Sequence, residues 1–258
     1  MNVFKYDGTF EGMLCAVFDA YTTRVFPQAL QGNTSSALCL PMHEVRTDAA
    51  HAARVFAALG RKLSRTGIQR LMLGWLSEED GSEMLLFRYI RKVFDSGRLI
   101  ESDFSDPDVL ALSKLVRKVN CERHRMLGFV RFQQTREDIY FAALEPRHNI
   151  LPLLLTHFKA RFADQRWLLH DVGRHYGYYY DGIEIHSAQV EPEVDAALAL
   201  GNGILDAGLT SDDEAFFRQL WRGYFQSAAV RERLNPRLQQ SFMPKRYWKY
   251  MSELHERC

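Results

Sequence analysis

The chain's densest group of chemically able side chains is Glu122-Arg123-His124-Arg125-Met126, which runs directly into Gly128-Phe129-Val130-Arg131-Phe132. A carboxylate and an imidazole in one short stretch supply a general acid and base, and the neighbouring guanidiniums suit phosphate oxygens. Glu145-Pro146-Arg147-His148-Asn149 repeats the same ingredients where a strand should give way to a helix, whose free amides would favour an anion beside His148. Glu122, His124, Glu145 and His148 are therefore the candidate catalytic residues. The competing structural reading is a solvated helix end with local ion pairs, together with capping and core hydrogen bonds.

His157, His170, Asp171 and His175 follow in the same region, but their spacing matches no ligand pattern such as HExxH, so no metal is expected. Cys15, Cys39, Cys121 and Cys258 are scattered without CxxC spacing, which points to reduced thiols rather than a zinc or iron–sulfur site. The chain has no GxxxxGK[ST], GxSxG or strand-borne GxGxxG motif, and no cofactor is expected.

Net charge is only +1, yet the charges are segregated. Between residues 114 and 136, Lys114, Arg117, Lys118, Arg123, Arg125, Arg131 and Arg136 face Glu122 alone. Residues 181 to 214 hold nine acids and no Lys or Arg, and residues 217 to 250 hold eight cations against Glu232. The last block ends in Met243-Pro-Lys-Arg-Tyr-Trp-Lys-Tyr250, where cations alternate with rings that stack on bases. The candidate nucleic-acid contacts are Lys114, Arg117, Lys118, Arg123, Arg125, Arg131, Arg218, Arg222, Lys245, Arg246, Tyr247, Trp248 and Lys249. The alternative is that Tyr247 and Trp248 pin the terminus while the cations stay in water. Tyr178-Tyr179-Tyr180 reads more readily as core than as a stacking platform, because alternate strand residues face opposite ways.

Several elements must position these groups. Val3 to Asp7 reads as a strand, and Thr9 caps a helix bearing Phe10, Met13, Leu14, Val17, Phe18 and Tyr21. A polar stretch at 31 to 36 precedes a short extended segment, and helices follow at 49 to 63 and 83 to 94. Asp106-Pro107-Asp108 starts a helix that buries Val109, Leu112, Val116 and Val119, turns its cations outward and ends near Gly128. GFVRF and IYFAAL around QQTRED read as an antiparallel hairpin, and WLLHD and GYYY as further strands. Asp181-Gly182 suits a two-residue hairpin turn, and residues 149 to 162 form a helix with Pro152 in its first turn. Helices at 191 to 200, 212 to 225 and 228 to 234 complete the chain, with breaks at Asn235-Pro236 and Met243-Pro244.

The expected fold is α+β, a central antiparallel sheet of about four to six strands with flanking helices and a helical C-terminal segment. An α+β core at 1–186 and a helical segment at 187–258, or one continuous domain, follow from the acidic stretch near residue 187. With no apolar run of about 20 residues and no basic-apolar leader at the N-terminus, a cytoplasmic protein with no membrane contact is expected.

YDGTFEG, AVFDAY, ERHRMLGFVRF, EPRHNILPLLLTHFKARFADQRWLLHD, YYYDG and LWRGYFQSAAVRERLNPRLQQSFMPKRYWKY together resemble a bacterial family assigned to DNA metabolism or DNA repair and built on a domain of unknown function. The likeness spans nearly the whole chain. It implies DNA as a partner and a task beside a DNA modification or repair protein of the radical S-adenosylmethionine class; related domains are fused to uracil-DNA glycosylase-like domains. This chain has no cluster-binding cysteines, so a radical step would belong to that partner. Family members commonly carry Asp at the position of Arg147 and Lys at that of Gly173, so neither position is expected to be catalytic.

Three readings of function result. The first is a DNA-binding accessory protein in repair or modification. The second is an enzyme acting on a DNA base or backbone through Glu122, His124, Glu145 and His148. The third is a protein-interaction adaptor that docks without touching DNA.

Overall fold

The computed structural model describes residues 2–32, 42–193, 198, 203–206, 208–227 and 235–254. It is α+β and divides into two compact units, Met1–Asn120 and Cys121–Cys258.

In the first unit, strand β1 (Val3–Lys5) lies between β2 (Ala29–Gln31) and β3 (Met42–Glu44), parallel to both. With three residues each, these strands show no alternation to read. Around them pack α1 (Phe10–Thr23), α2 (Ala49–Lys62), α3 (Arg65–Trp75), α4 (Ser82–Asp95) and the first part of α5 (Pro107–Phe129). Each start has a chemical cause. Thr9 Oγ1 accepts from the Gly12 amide at 2.9 Å, Asp48 from Ala50 and His51 at 2.8 and 2.9 Å, and Ser64 from Gly67 at 3.0 Å. The expected Asp106 cap holds too, accepting from Asp108 and Val109 at 2.8 and 3.2 Å. Helix α3 had no counterpart in the periodicity, because Gly67 and Gly74 dilute its apolar face.

The second unit is built on a five-stranded sheet in the order β4 (Gln133–Gln134), β5 (Tyr140–Leu144), β6 (Trp167–Asp171), β7 (Tyr176–Tyr180), β8 (Ile185–Ala188). Three of its pairings are antiparallel and one, β5 with β6, is parallel. The parallel pair follows from connectivity: α6 (Leu151–Arg161) crosses from the end of β5 to the start of β6, and such a crossover returns the chain in the same direction. Helix α5 continues through Phe129, so GFVRF forms no strand; Gln133-Gln134 pairs with β5 instead. The turn after β7 is also longer than two residues, since Tyr180 pairs with Ile185. There the Asp181 carboxylate accepts from the amides of Ile183 and Glu184, bonds that hold its pKa down at about 2, and Gly182 takes a φ of +103°.

Trp167, Phe158 and Tyr180 pack as rings on one side of the sheet, which gives Tyr180 the core role expected of the tyrosine run. After the sheet come helices Glu214–Ser227 and Pro236–Phe242, the latter capped by Asn235, and a 3₁₀ turn at Lys245–Tyr250. The expected helices at 191–200 and 228–234 lie largely or wholly outside the described residues, as does most of the polar stretch at 31–36. The boundary anticipated near residue 187 falls inside the second unit. Among the described residues no helix is long and apolar enough to cross a membrane.

Candidate functional site

Glu122 projects from the last turns of α5 into the interior of the second unit and is 3 % exposed. Its oxygens accept from the backbone amides of Arg147 and His148 at 2.9 and 2.8 Å, and from the Tyr247 hydroxyl. The Arg246 guanidinium adds an ion pair at 3.2 Å. His148 is buried beside it, its Nε2 at 4.0 Å from Glu122 Oε2. A carboxylate has about four acceptor positions, and four donors engage this one. It anchors the loop between β5 and α6 and, through Tyr247 and Arg246, fixes the 3₁₀ turn as well. Burial chiefly, and then the hydrogen bond to Glu122, push the Tyr247 hydroxyl up to about 12.

The same loop is gripped from its other side. Arg174 donates to the carbonyls of Pro146 and Arg147 at 3.0 and 2.9 Å and pairs with Asp171 at 3.0 Å. Asp171, fully buried at the end of β6, also accepts from the amides of Gly173 and Arg174. Burial raises its pKa, with the Arg174 charge and hydrogen bond pulling the other way. One loop thus has its amides held by a carboxylate and its carbonyls by a guanidinium. The spacing Asp-x-x-Arg at 171–174 was the visible sign of this clamp.

Glu145 follows β5 and receives Lys249 and the Tyr250 hydroxyl, the latter at 2.8 Å. The Lys249 hydrogen bond is the main reason its carboxyl stays below the ordinary range. The structure therefore brings Glu122 and His148 together and puts Glu145 on the same loop, while His124 is exposed on α5. Among the described residues no group of three or more His, Cys, Asp or Glu is placed to hold a metal ion.

Within the second unit the two basic stretches meet, and most of their charge is already engaged. Arg131 pairs with Glu253 at 2.7 Å, Arg218 with Glu214 at 3.3 Å, Arg246 with Glu122 and Lys249 with Glu145. Arg222 donates to the Ser252 carbonyl at 3.1 Å and Arg125 to the Ser241 carbonyl at 3.4 Å. Tyr247 and Trp248 are buried, with Tyr247 against Phe129 and Trp248 in a cluster with Met251 and Leu254. Their faces are turned inward, away from any external base. Arg123 and Lys245 are exposed, Lys245 over the Trp248 ring. In the first unit Lys114 and Arg117 are exposed, and Lys118 pairs with Glu79 at 2.8 Å.

A cleft of about 320 Å³ lies beside this network, lined by residues including Arg131, Gln133, Glu214, Phe217, Arg218, Trp221 and Tyr250. The helix Glu214–Ser227 forms one wall with its polar positions turned in. Glu214 accepts from the Gln134 amide at 2.9 Å, and Arg218 and Arg222, one and two turns on, make the inward contacts already given. Phe217 and Trp221 flank this polar stripe and also line the cleft, while the outer face carries Phe216, Leu220 and Tyr224, all exposed. Sequence reading pointed to Arg218 and Arg222 here and passed over Phe217 and Trp221, although FFRQLWRGYF shows the stripe plainly.

A family model described as a domain of unknown function, DUF4130, matches residues 80–253. No curated protein and no solved structure matches the chain.

Proposed function

Because the chain belongs to the DUF4130 family, whose description names no activity, we propose its function from the site: it is a nucleic-acid-binding protein of DNA metabolism that works beside a radical S-adenosylmethionine enzyme. The supporting observation is that residues 122–131 and 241–253 of the second unit pack together, so cations distant in sequence share one region. Arg123, Arg125 and Lys245 are the cations there whose described contacts include no carboxylate, and they are the phosphate contacts in this reading. The family resemblance supplies the DNA task and the radical partner. A fluorescence-anisotropy titration of the full chain with single-stranded and duplex DNA at low salt tests it. Saturable binding that weakens as salt rises is expected, and absence of binding to either form would overturn the reading.

The second reading, a protein-docking adaptor, is favoured by one observation, the outward apolar face of the helix Glu214–Ser227. A complex with the radical enzyme that survives nuclease treatment and is lost on Phe216→Asp with Leu220→Asp would support it; co-purification lost with nucleic acid would oppose it. An enzymatic role for Glu122, His124, Glu145 and His148 draws no support from their geometry, since Glu122 is occupied by structural donors and His124 is exposed on α5.

A further inference from the structure

We propose that the cleft beside the helix Glu214–Ser227 receives one unstacked nucleobase, a proposal that rests on the nucleic-acid reading and names the part of the polymer this site takes. Four observations carry it. The first is size, because about 320 Å³ stands at the lower end of ligand pockets, about 300–1,000 Å³, and so suits a single ring-bearing group. The second is charge. Arg131 is matched by Glu253 and Arg218 by Glu214, so the lining is close to neutral and offers a phosphate no net attraction. A neutral heterocycle loses nothing there.

The third is the presence of flat faces held ready. The Trp221 ring packs 5.7 Å from that of Tyr224, and the Arg131 guanidinium lies 5.4 Å from its centroid, so two partners position the indole before anything binds. Phe217, one turn earlier, is 56 % exposed. Solvated aromatic surface at a concave site gains by stacking on a base, and every base has such a face. The fourth is edge chemistry. The Gln133 amide is fixed by the Gly203 carbonyl at 2.7 Å and the Leu205 amide at 3.1 Å. It still has a second N–H to offer a base edge.

The test separates bases from phosphates. Oligodeoxythymidylate and an abasic strand of equal length carry the same backbone, and their affinities for the full chain are compared by anisotropy at low salt. Wild type is expected to prefer the base-bearing strand by about 5- to 150-fold, the range of one aromatic stack. Trp221→Ala and Phe217→Ala should each reduce that preference with the abasic-strand affinity unchanged, and Trp221→Phe should restore most of it. Thermal melts confirm that the variants fold. Equal affinity of wild type for both strands, or a preference that both alanine variants retain, overturns the base pocket and leaves backbone binding standing. If neither strand binds, the nucleic-acid reading fails, and saturation-transfer NMR with free thymidine decides the pocket. A signal lost in Trp221→Ala upholds the pocket, and no signal overturns it.

Discussion

The Glu122 carboxylate leaves water on folding with both oxygens occupied, and the donors it satisfies belong to segments 25 to 26 and 125 residues away. Removing it strands the buried His148 amide and a buried phenol, frees the Arg147 amide and leaves Arg246 without its acid. Glu122→Ala should therefore cost about 2–4 kcal/mol in urea unfolding, the scale of buried donors left without an acceptor. Tyr247→Phe, which removes one donor, should cost about 1.5–3 kcal/mol, and the double variant less than the sum because the two share one interaction. A second carboxylate gives a pH signature. Burial alone would raise Glu253, but its bonds to Arg131 hold it below the ordinary 4.5. A lowered pKa means that the unfolded chain binds the proton more readily, so this stability is complete above about pH 4.5 and is lost as pH falls through the folded value. Glu253→Gln should show its full deficit, about 1–3 kcal/mol, near neutrality and a shrinking one below pH 4.5 when urea midpoints are compared across pH. At this scale the residue types were legible and their duties were not. Glu122 and His148 stood out among four acid–base candidates in two separate stretches, whereas the burial that turned Glu122 into an anchor depends on Tyr247 and Arg246, far along the chain.

Helix starts were readable because a cap is a local event. Asp106 illustrates it: the side chain accepts from the two amides that follow, and Lys92 adds an ion pair at 2.7 Å. The helix Glu214–Ser227 was legible as an element and misleading in orientation. Binary patterning places apolar side chains inside and cations outside, yet here Glu214, Arg218 and Arg222 face the unit and Phe216, Leu220 and Tyr224 face water. The signal available in the sequence was the i to i+4 pairing of Glu214 with Arg218, which gives the polar stripe partners of its own. Inversion makes an unusual forecast: Phe216→Ser and Leu220→Ser should each shift unfolding by no more than about 0.5 kcal/mol, the norm for exposed positions. Glu214→Ala should cost about 2–3 kcal/mol, because the Gln134 amide and Arg218 lose their acceptor. Urea unfolding of the three variants checks the order, and an apolar substitution costlier than Glu214→Ala would mean that Phe216 and Leu220 lie on the buried face. The strand error at GFVRF has a related cause, since its alternating apolar residues suit the last turn of α5 followed by an irregular stretch as well as a strand.

Over the whole molecule the charge blocks were visible by counting, and their neutralisation was not, because it depends on which acids the fold delivers. The acidic stretch contributes Glu214 and, at 3.9 Å from Arg136, Asp212; Glu122, Glu145 and Glu253 come from elsewhere. On the proposed nucleic-acid reading, the consequence can be measured in the salt dependence of DNA binding. Each phosphate neutralised by a free cation contributes a slope of about 0.9 in log affinity against log salt, whereas a cation already matched by a carboxylate releases little. Arg123→Ala, Arg125→Ala and Lys245→Ala should each lower the slope by about 1 with duplex DNA. Arg246→Ala and Lys249→Ala, whose partners are Glu122 and Glu145, should leave it nearly unchanged, and Arg246→Ala should register in stability instead. If the two paired positions moved the slope and the three others did not, the anion would be meeting the C-terminal turn directly, and the internal pairs would have to open on binding.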